Sequence, residues 1–263
     1  MRWLALVAVV GCSFSPGTLH ERPPHDASRD SVLDTAPPPD ALDLASDLVA
    51  YYPMDALPAT DATGHGHDAS CDGACPTVVA GERGSAYAFA KQRLDVPADA
   101  AFDTETGTIA AWLAFDAFPT PGQHACPFGA VFMAATNGNT WQLCYQDATL
   151  GLFFQDGSGG ESVVGSAAAI GSGDWHHYAI EWTDASIDLY IDGGHAFGSA
   201  ISPLVFDPAG ILTLGADRLD NGAGGAGSGS IEVPLFGRLD DVALFDRALS
   251  PAELAAVMAG SGL

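Results

Sequence analysis

The sequence predicts an all-β fold, a two-sheet antiparallel sandwich with one short C-terminal helix. Residues 173–193 read as two strands joined by a tight turn, no helical period is visible before residue 245, and a helix-capping sequence follows soon afterwards. The chain has 263 residues, 48% of them hydrophobic, which is enough for one large β domain with a sizeable core.

The central stretch shows the alternation most clearly. Ile187, Leu189 and Ile191 share one face of a strand, while Asp188 and Asp192 take the other. A second strand with the same period precedes this one at 177–182, and Asp-Gly-Gly at 192–194 predicts a hairpin turn after residue 191. Linked strands with one apolar face need a second sheet to cover them.

Similar runs predict further strands along the chain, at 48–55, 86–89, 94–97, 108–115, 130–134, 140–145, 150–155, 162–170, 211–215 and 237–245. In the last of these, one face is expected to carry Leu239, Asp241, Ala243 and Phe245. Ser250-Pro251-Ala252-Glu253 is a capping box with proline at the first helical position, so a short helix through Met258 is predicted.

Several of these segments resemble one family. D-W-H-H-Y-A with I-D-L-Y-I-D-G in the centre, T-I-A-A-W-L-A-F at 108–115 and F-G-R-L-D-D-V-A-L-F-D-R-A-L-S-P-A-E-L near the end are similar to the concanavalin A-like jelly rolls of the laminin-G-like family. The resemblance covers about residues 48–260 and implies a jelly-roll sandwich. Met54, His65 and His67 depart from the family pattern, which has an aromatic residue and two asparagines there.

The resemblance also implies a structural calcium ion. In the family, the end of the first strand and the last motif lie side by side, which makes Asp55 and Asp240 the expected ligands, with Asp61 and Asp68 of the loop 61–68 next. Carboxylate and carbonyl oxygens are the ligands that calcium takes. The alternative is that these short acidic side chains cap turns.

The N-terminus reads as an export signal. Residues 1–12 contain Arg2, an apolar run, and a glycine directly before Cys12, which resembles the lipobox of bacterial lipoproteins. Residues 13–46 are rich in proline and aspartate and predict a disordered linker, and residues 47–263 form the predicted jelly-roll domain. We therefore expect a protein lipidated at Cys12 and anchored in the cell envelope, with Ser13 favouring the outer membrane; an ordinary cleaved signal is the alternative.

Four further cysteines remain, an even number that favours disulfides in an exported chain. Three pairings are open, and we prefer Cys71–Cys75 and Cys126–Cys144 because both are local. A zinc site at Cys71 and Cys75, near His65 and His67, is the competing reading.

Charge and composition narrow the function. The formal net charge of −24 makes nucleic acid and anionic lipid poor partners, so the membrane is expected to be reached only through the lipid anchor. Jelly-roll glycan hydrolases of the laminarinase type carry Glu-x-Asp-x-Glu on one strand, and the sequence has no such run.

The sequence therefore predicts no enzyme and no catalytic residues, but a surface binding or adhesion module for a glycan or a protein partner. A divergent glycan hydrolase and a purely structural envelope lipoprotein are the alternatives. No ligand-binding residue is assigned, although four aromatic side chains are candidates for stacking on a sugar: Trp141, Tyr145, Phe154 and Tyr190. Three other tryptophans are expected in the core: Trp112, Trp175 and Trp182.

Overall fold

The fold is described from a computed structural model of the chain. It covers residues 44–119, 124–131, 139–146, 149–155, 161–167, 170–206, 210–218, 231–232 and 234–263, all within one compact unit that spans residues 40–263. The predicted signal 1–12 with Cys12, and the predicted linker up to residue 43, lie outside the described residues. Leu44, where the description begins, is buried.

The described residues are mostly strands. In chain order they are β1 Leu48–Tyr52, β2 Ser70–Cys71, β3 Thr77–Ala80, β4 Ser85–Ala90, β5 Leu94–Val96, β6 Gly107–Phe115, β7 His124–Val131, β8 Asn139–Gln146, β9 Thr149–Gln155, β10 Glu161–Ala167, β11 His176–Trp182, β12 Ser186–Ile191, β13 Gly194–Ala200, β14 Ile211–Leu214, β15 Asp217–Arg218, β16 Ile231–Glu232 and β17 Phe236–Phe245. A 3-10 turn spans Ala100–Phe102 and one α-helix, α1, spans Pro251–Ala259. The predicted strands have counterparts here, although only residues 130–131 of the predicted strand 130–134 lie within the described residues. β2, β3, β15 and β16 were not predicted, and β13 follows the predicted turn at 192–194 without a predicted range.

Two antiparallel sheets make the predicted jelly-roll sandwich. Among the described residues, sheet A runs β13-β12-β11-β6-β17-β4-β3 with β1 also paired to β17, and sheet B runs β10-β9-β8-β7-β14-β5-β2. Strands distant in the chain are neighbours, as in β6 beside β17, because the chain passes repeatedly between the two sheets.

The main core lies between the sheets. Trp182 of sheet A contacts Trp141 of sheet B with ring centroids 5.4 Å apart, and Phe115 contacts Tyr145 at 5.5 Å. A second, smaller cluster lies on the outward face of sheet A, meaning the face turned away from sheet B, where α1 packs through Leu254 and Val257. Burial on both faces explains why several strands are apolar at nearly every position.

The central hairpin forms as predicted. Tyr178 pairs with Ile191 and Trp182 with Ile187, and the turn to β13 has positive φ at Asp192 (50°) and Gly193 (76°). Two consecutive positive φ values are those of the tight hairpin turn whose twist matches the strands, and Asp-Gly is a favoured sequence for it.

The predicted alternation of β17 is wrong. Leu239 faces the main core, but beyond it Val242 and Leu244 face that core while Ala243 and Phe245 lie in the outward cluster. The cause is a β-bulge between Asp240 and Ala243, where Asp241 takes a left-handed conformation with φ 49°. One extra residue shifts the parity of every later side chain.

The structure confirms the predicted start of the C-terminal helix. Ser250 Oγ accepts from the Glu253 backbone N–H, the Glu253 carboxylate accepts from the Ser250 backbone N–H at 2.7 Å, and Gly260 ends the helix with φ 74°. Of the helices in the described part of the chain, none is long and apolar enough to cross a membrane.

Both preferred cysteine pairs are disulfides in the structure. Cys71–Cys75 closes a short surface loop, and Cys126–Cys144 joins the neighbouring strands β7 and β8. The alternative reading of Cys71 and Cys75 as zinc ligands is therefore wrong, because both sulfurs are used.

Candidate functional site

The four predicted calcium ligands fall into two separate settings. Asp61 and Asp68 hold one loop together, whereas Asp55 and Asp240 both bind the loop 81–85. No group of three or more His, Cys, Asp or Glu side chains placed to hold a metal ion is found among the described residues.

The Asp61 carboxylate is saturated by its own loop. Oδ1 accepts from the backbone N–H groups of Tyr51 (3.1 Å) and Thr63 (3.0 Å), Oδ2 accepts from that of His67 (3.2 Å), and the Thr63 hydroxyl lies within 2.8 Å of both oxygens. Burial alone would raise the pKa of Asp61, but the hydrogen bonds from Thr63, Tyr51 and His67 outweigh it and lower the pKa. Asp68 accepts from the Asp61 backbone N–H at 2.8 Å. Both side chains therefore act as caps of this loop.

Asp240 and Asp55 lie on either side of residues 81–85. Asp240 Oδ2 accepts from the Arg83 backbone N–H at 2.8 Å, and Asp55 Oδ1 accepts from the Ser85 backbone N–H at 2.7 Å. The loop passes close because it contains glycine: a Cβ on Gly81 would lie 2.5 Å from Asp240 Oδ2, and one on Gly84 would lie 2.5 Å from Asp55 Oδ1.

Asp240 is the member of this pair with an unpaired carboxylate oxygen. It is fully buried, and its Oδ1 has no hydrogen-bond partner. Burial raises the pKa of Asp240 to about 7, and the nearby carboxylates of Asp241 and Asp55 add to the rise, against the lowering by the backbone N–H groups of Arg83 and Asp241. A buried, unsatisfied carboxylate oxygen beside other carboxylates is the setting that a hard cation stabilises.

The residues at this position therefore fit calcium in part. Asp240 and Asp55 would supply two carboxylates, and the remaining oxygens would come from backbone carbonyls or water. Such an ion would hold the first strand, the loop 81–85 and β17 together.

The candidate sugar-stacking aromatics are mostly unavailable. Trp141, Tyr145 and Phe154 lie in the core between the sheets, and Tyr190 packs against the outward cluster of sheet A. Of the tryptophans expected in the core, Trp182 is buried there, but Trp112 and Trp175 are only partly buried, and the Arg238 guanidinium lies 4.8 Å from the Trp175 ring.

The outward face of sheet B carries the polar row that sequence reasoning missed. Strand pairing aligns Asp95 with Thr213, Thr213 with Gly129, Gly129 with Gln142, and Gln142 with Phe153. The residues flanking these positions, such as Leu94, Leu143 and Leu152, face the core, so the side chains between them point away from it. Asp95 and Phe153 are partly exposed there, whereas Thr213 and Gln142 are buried. We call this set the sheet-B row.

Phe153 gives the row an aromatic end. It is only partly buried, in contrast to its neighbour Phe154. Leu150, Leu152 and Phe154 alternate toward the core. This alternation in the sequence indicates that Phe153, and not Phe154, is the aromatic side chain available for sugar stacking.

Two carboxylates also face each other on the outward face of sheet A. Glu181 pairs with Asp188 across β11 and β12, and the His195 imidazole hydrogen-bonds Asp188 at 2.8 Å. Burial raises the pKa of Glu181, the charge of Asp188 raises it further, and His195 opposes the shift. Its Oε2 is buried without a partner.

Comparison with known proteins places the chain in a family. A family model, Laminin_G_3, described as the concanavalin A-like lectin/glucanases superfamily, matches residues 90–255, more than half of the chain. The chain belongs to the concanavalin A-like lectin/glucanases superfamily. Among curated proteins, no match is found.

Solved structures of the superfamily share the fold at low identity. The receptor binding domain of botulinum neurotoxin mosaic serotype C/D aligns at TM-score 0.63 and 12% identity, over 82% of this chain and 51% of that one. Domain 4 of AbnA, a GH43 extracellular arabinanase from Geobacillus stearothermophilus solved with arabinotriose, aligns at TM-score 0.63 and 20% identity, over 80% and 98%.

The binding domain of botulinum neurotoxin DC in complex with SialylT aligns at TM-score 0.62 and 10% identity, over 82% of this chain and 51% of that one. The present chain spans about half the length of the two toxin domains.

Proposed function

We propose that the protein is a non-catalytic surface module that binds glycans. The superfamily fold supports this, as does its similarity to an arabinanase domain solved with arabinotriose and to a toxin binding domain solved with SialylT. The alternative ligand for such a binding module is a surface protein.

The sheet-B row is the observation that carries the proposal. Successive strands lie about 4.8 Å apart, so the row from Asp95 on β5 to Phe153 on β9 extends roughly 19 Å, the length of a short oligosaccharide. Glycan sites combine a few placed polar groups with an aromatic surface on which the sugar's C–H groups pack. Asp95 supplies the first and Phe153 supplies the second, while Thr213 and Gln142 are buried between them and support the surface from beneath.

A glycan array probed with the full chain tests this function. We expect retention of one or more oligosaccharides, and Phe153→Ala should weaken retention about tenfold because it removes the stacking surface. Phe236→Ala is the matched control, since Phe236 is an exposed aromatic residue on sheet A. Absence of any retained glycan would contradict the proposal, and capture of a surface protein instead would favour the protein-partner form.

The Glu181–Asp188 pair favours a second candidate, a divergent glycan hydrolase. Directly opposed strand residues have Cβ atoms about 5 Å apart, close to the carboxylate separation in retaining enzymes. Incubation of the full chain with arabinan and other polysaccharides, followed by product analysis, separates the two. We expect no release of sugar, and turnover abolished by Glu181→Gln would establish the hydrolase.

We further propose that Asp55 and Asp240 hold a structural calcium ion and that Cys12 carries a lipid anchor in the outer membrane. Expression of a Cys12→Ala variant tests the anchor: the protein should move from the membrane fraction to the soluble fraction. A variant that stays with the membrane would contradict lipid anchoring.

A further inference from the structure

Arg93 is a buried arginine whose guanidinium is incompletely paired. It is 1% exposed and directly precedes β5, in which Leu94 faces the core, so Arg93 and Asp95 share the outward face of sheet B. Nε donates to Asp95 Oδ1 at 2.6 Å, and Nη2 donates to Asp95 Oδ2 at 3.1 Å and to Asp72 Oδ2 at 2.6 Å. The third nitrogen, Nη1, is buried and has no partner.

Arg247 shows what a complete pairing looks like in the same protein. It also lies between two carboxylates, and there Nε donates to Asp47, Nη2 to Glu253, and Nη1 to both Glu253 and the Ala248 carbonyl. A buried N–H group without an acceptor is unfavourable, and native proteins rarely leave one unless a ligand or water completes it. The Nη1 group of Arg93 is therefore a hydrogen-bond donor for which the described part of the fold provides no acceptor, and an oxygen atom of a ligand would complete it.

The carboxylates around Arg93 reach solvent. The Asp72 side chain is 44% exposed and that of Asp95 is 24% exposed, against 2% for Arg93. Asp72 lies in the loop closed by Cys71–Cys75, and its backbone N–H donates to the Arg93 carbonyl at 3.0 Å. The disulfide and this hydrogen bond hold Asp72 in place beside the guanidinium.

The charges select the class of ligand. Two carboxylates outnumber the one guanidinium here, and the whole chain carries a formal charge of −24, so phosphate and uronate groups are repelled. A hydroxyl group both accepts and donates hydrogen bonds, whereas Arg only donates and a carboxylate only accepts. Neighbouring hydroxyls of a neutral sugar would accept from Nη1 and donate to Asp72 or Asp95.

We propose that Arg93, Asp72 and Asp95 form a subsite that selects neutral glycans by their hydroxyl groups. Asp95 is also the first member of the sheet-B row, so this subsite is one end of the glycan surface. The inference rests on the proposed glycan binding and adds to it the residues that discriminate neutral from acidic sugars.

Binding measurements on the full chain test the subsite. The probes are arabinotriose, a panel of neutral oligosaccharides and uronate-containing oligosaccharides of the same lengths. Arg93→Lys keeps the charge but removes Nη1, and we expect about tenfold weaker binding of the neutral glycans that wild type retains. Arg247→Lys, the matched control, should change binding less than about twofold.

Asp72→Asn provides a second variant at a solvent-exposed position, in case Arg93→Lys does not fold by circular dichroism. It should weaken binding of neutral glycans about threefold and narrow the preference over uronates. The subsite would be overturned, with glycan binding intact, if the folded variants bound neutral glycans as tightly as the wild type does. A preference of the wild type for uronates would also overturn it. Failure of the wild type to bind any probe would overturn both.

Discussion

The loops 61–68 and 81–85 each enclose a predicted calcium ligand, yet they treat its carboxylate in opposite ways. The first surrounds Asp61 with N–H and O–H donors from Tyr51, Thr63 and His67, and the pKa of Asp61 falls. The second gives Asp240 one backbone donor and leaves Oδ1 buried without a partner, and the pKa of Asp240 rises. The two aspartates are thus not equivalent: Asp61 caps a loop, whereas Asp240 in β17 keeps a carboxylate oxygen that no group among the described residues pairs.

The same contrast recurs between Arg247 and Arg93. The guanidinium that is fully paired ties the start of β1 to α1, through Asp47 and Glu253. The guanidinium with an unused nitrogen lies on the face proposed for glycan binding. The paired guanidinium stabilises the fold, and the unpaired nitrogen of Arg93 lies where we propose that a ligand binds.

The largest expected effect is loss of the Asp61 cap. Asp61→Ala should lower the free energy of unfolding by about 3 kcal/mol, because several buried donors lose a charged acceptor at once. Urea unfolding measures it, with Asp68→Ala as the control that removes the acceptor of one backbone donor and should cost about 1 kcal/mol. Equal losses of stability in the two variants would contradict the assignment of Asp61 as the main cap of the loop 61–68.

Calcium should act on the other loop. At a calcium concentration one hundred times Kd, the free energy of unfolding should rise by about 2.7 kcal/mol over an EDTA-treated sample. Asp240→Asn should remove this response, whereas Asp68→Asn should retain it, because Asp68 lies in the self-satisfied loop. A thermal melt with and without calcium gives the readout, and loss of the response in Asp68→Asn instead would reverse the assignment.

The glycines of the two loops offer a finer test. Gly84 and Gly64 both have positive φ, so alanine at either position should cost about 1 kcal/mol from the backbone alone. Only at Gly84 would the new Cβ strike a carboxylate, since nothing lies within 4 Å at Gly64. Gly84→Ala should therefore also weaken calcium affinity about tenfold in a calcium titration, and an equal loss in Gly64→Ala would contradict the Asp55 assignment.

The smallest effect concerns Glu181, whose Oε2 is a further buried oxygen without a partner. Its folded pKa lies above the unfolded value of about 4.3, so the native state is relatively more stable below that pH and loses this stability as pH rises through the raised pKa. Glu181→Gln should stabilise the protein at pH 7 by about 0.5 kcal/mol, since it removes a like-charge pair with Asp188. The gain should vanish near pH 4, and a gain independent of pH would show another cause.

Much of the fold could be predicted from local patterns. The strand period at 187–191 predicted the sandwich, and the capping box at Ser250 predicted the helix. The family motifs in the centre and near the C-terminus predicted the superfamily. The register of β17 could not be predicted, because the bulge at Asp241 is a property of its pairing with β6 and not of its own sequence.

The candidate sites were predicted less well. Asp55 and Asp240, two of the predicted calcium ligands, both bind the loop 81–85, but Asp61 and Asp68, predicted for the same ion, lie in a different hydrogen-bond network. Trp141, Tyr145 and Phe154 have the right chemistry for sugar stacking, yet strand register turns them into the core and turns Phe153 outward. A shift of one residue in strand register moves every side chain to the opposite face of the sheet, and amino-acid composition does not determine the register.

By itself, the sequence determined the class of fold, because periodicity and turn chemistry act between near neighbours in the chain. Only the tertiary structure decided which polar atoms remain without partners. Asp240 and Arg83 are 157 positions apart, and Arg93 and Asp72 are 21 apart, so whether their hydrogen-bonding groups are satisfied is settled only when distant strands and loops pack together. That is why the atoms on which the proposed calcium and glycan sites depend could be found only in the folded molecule.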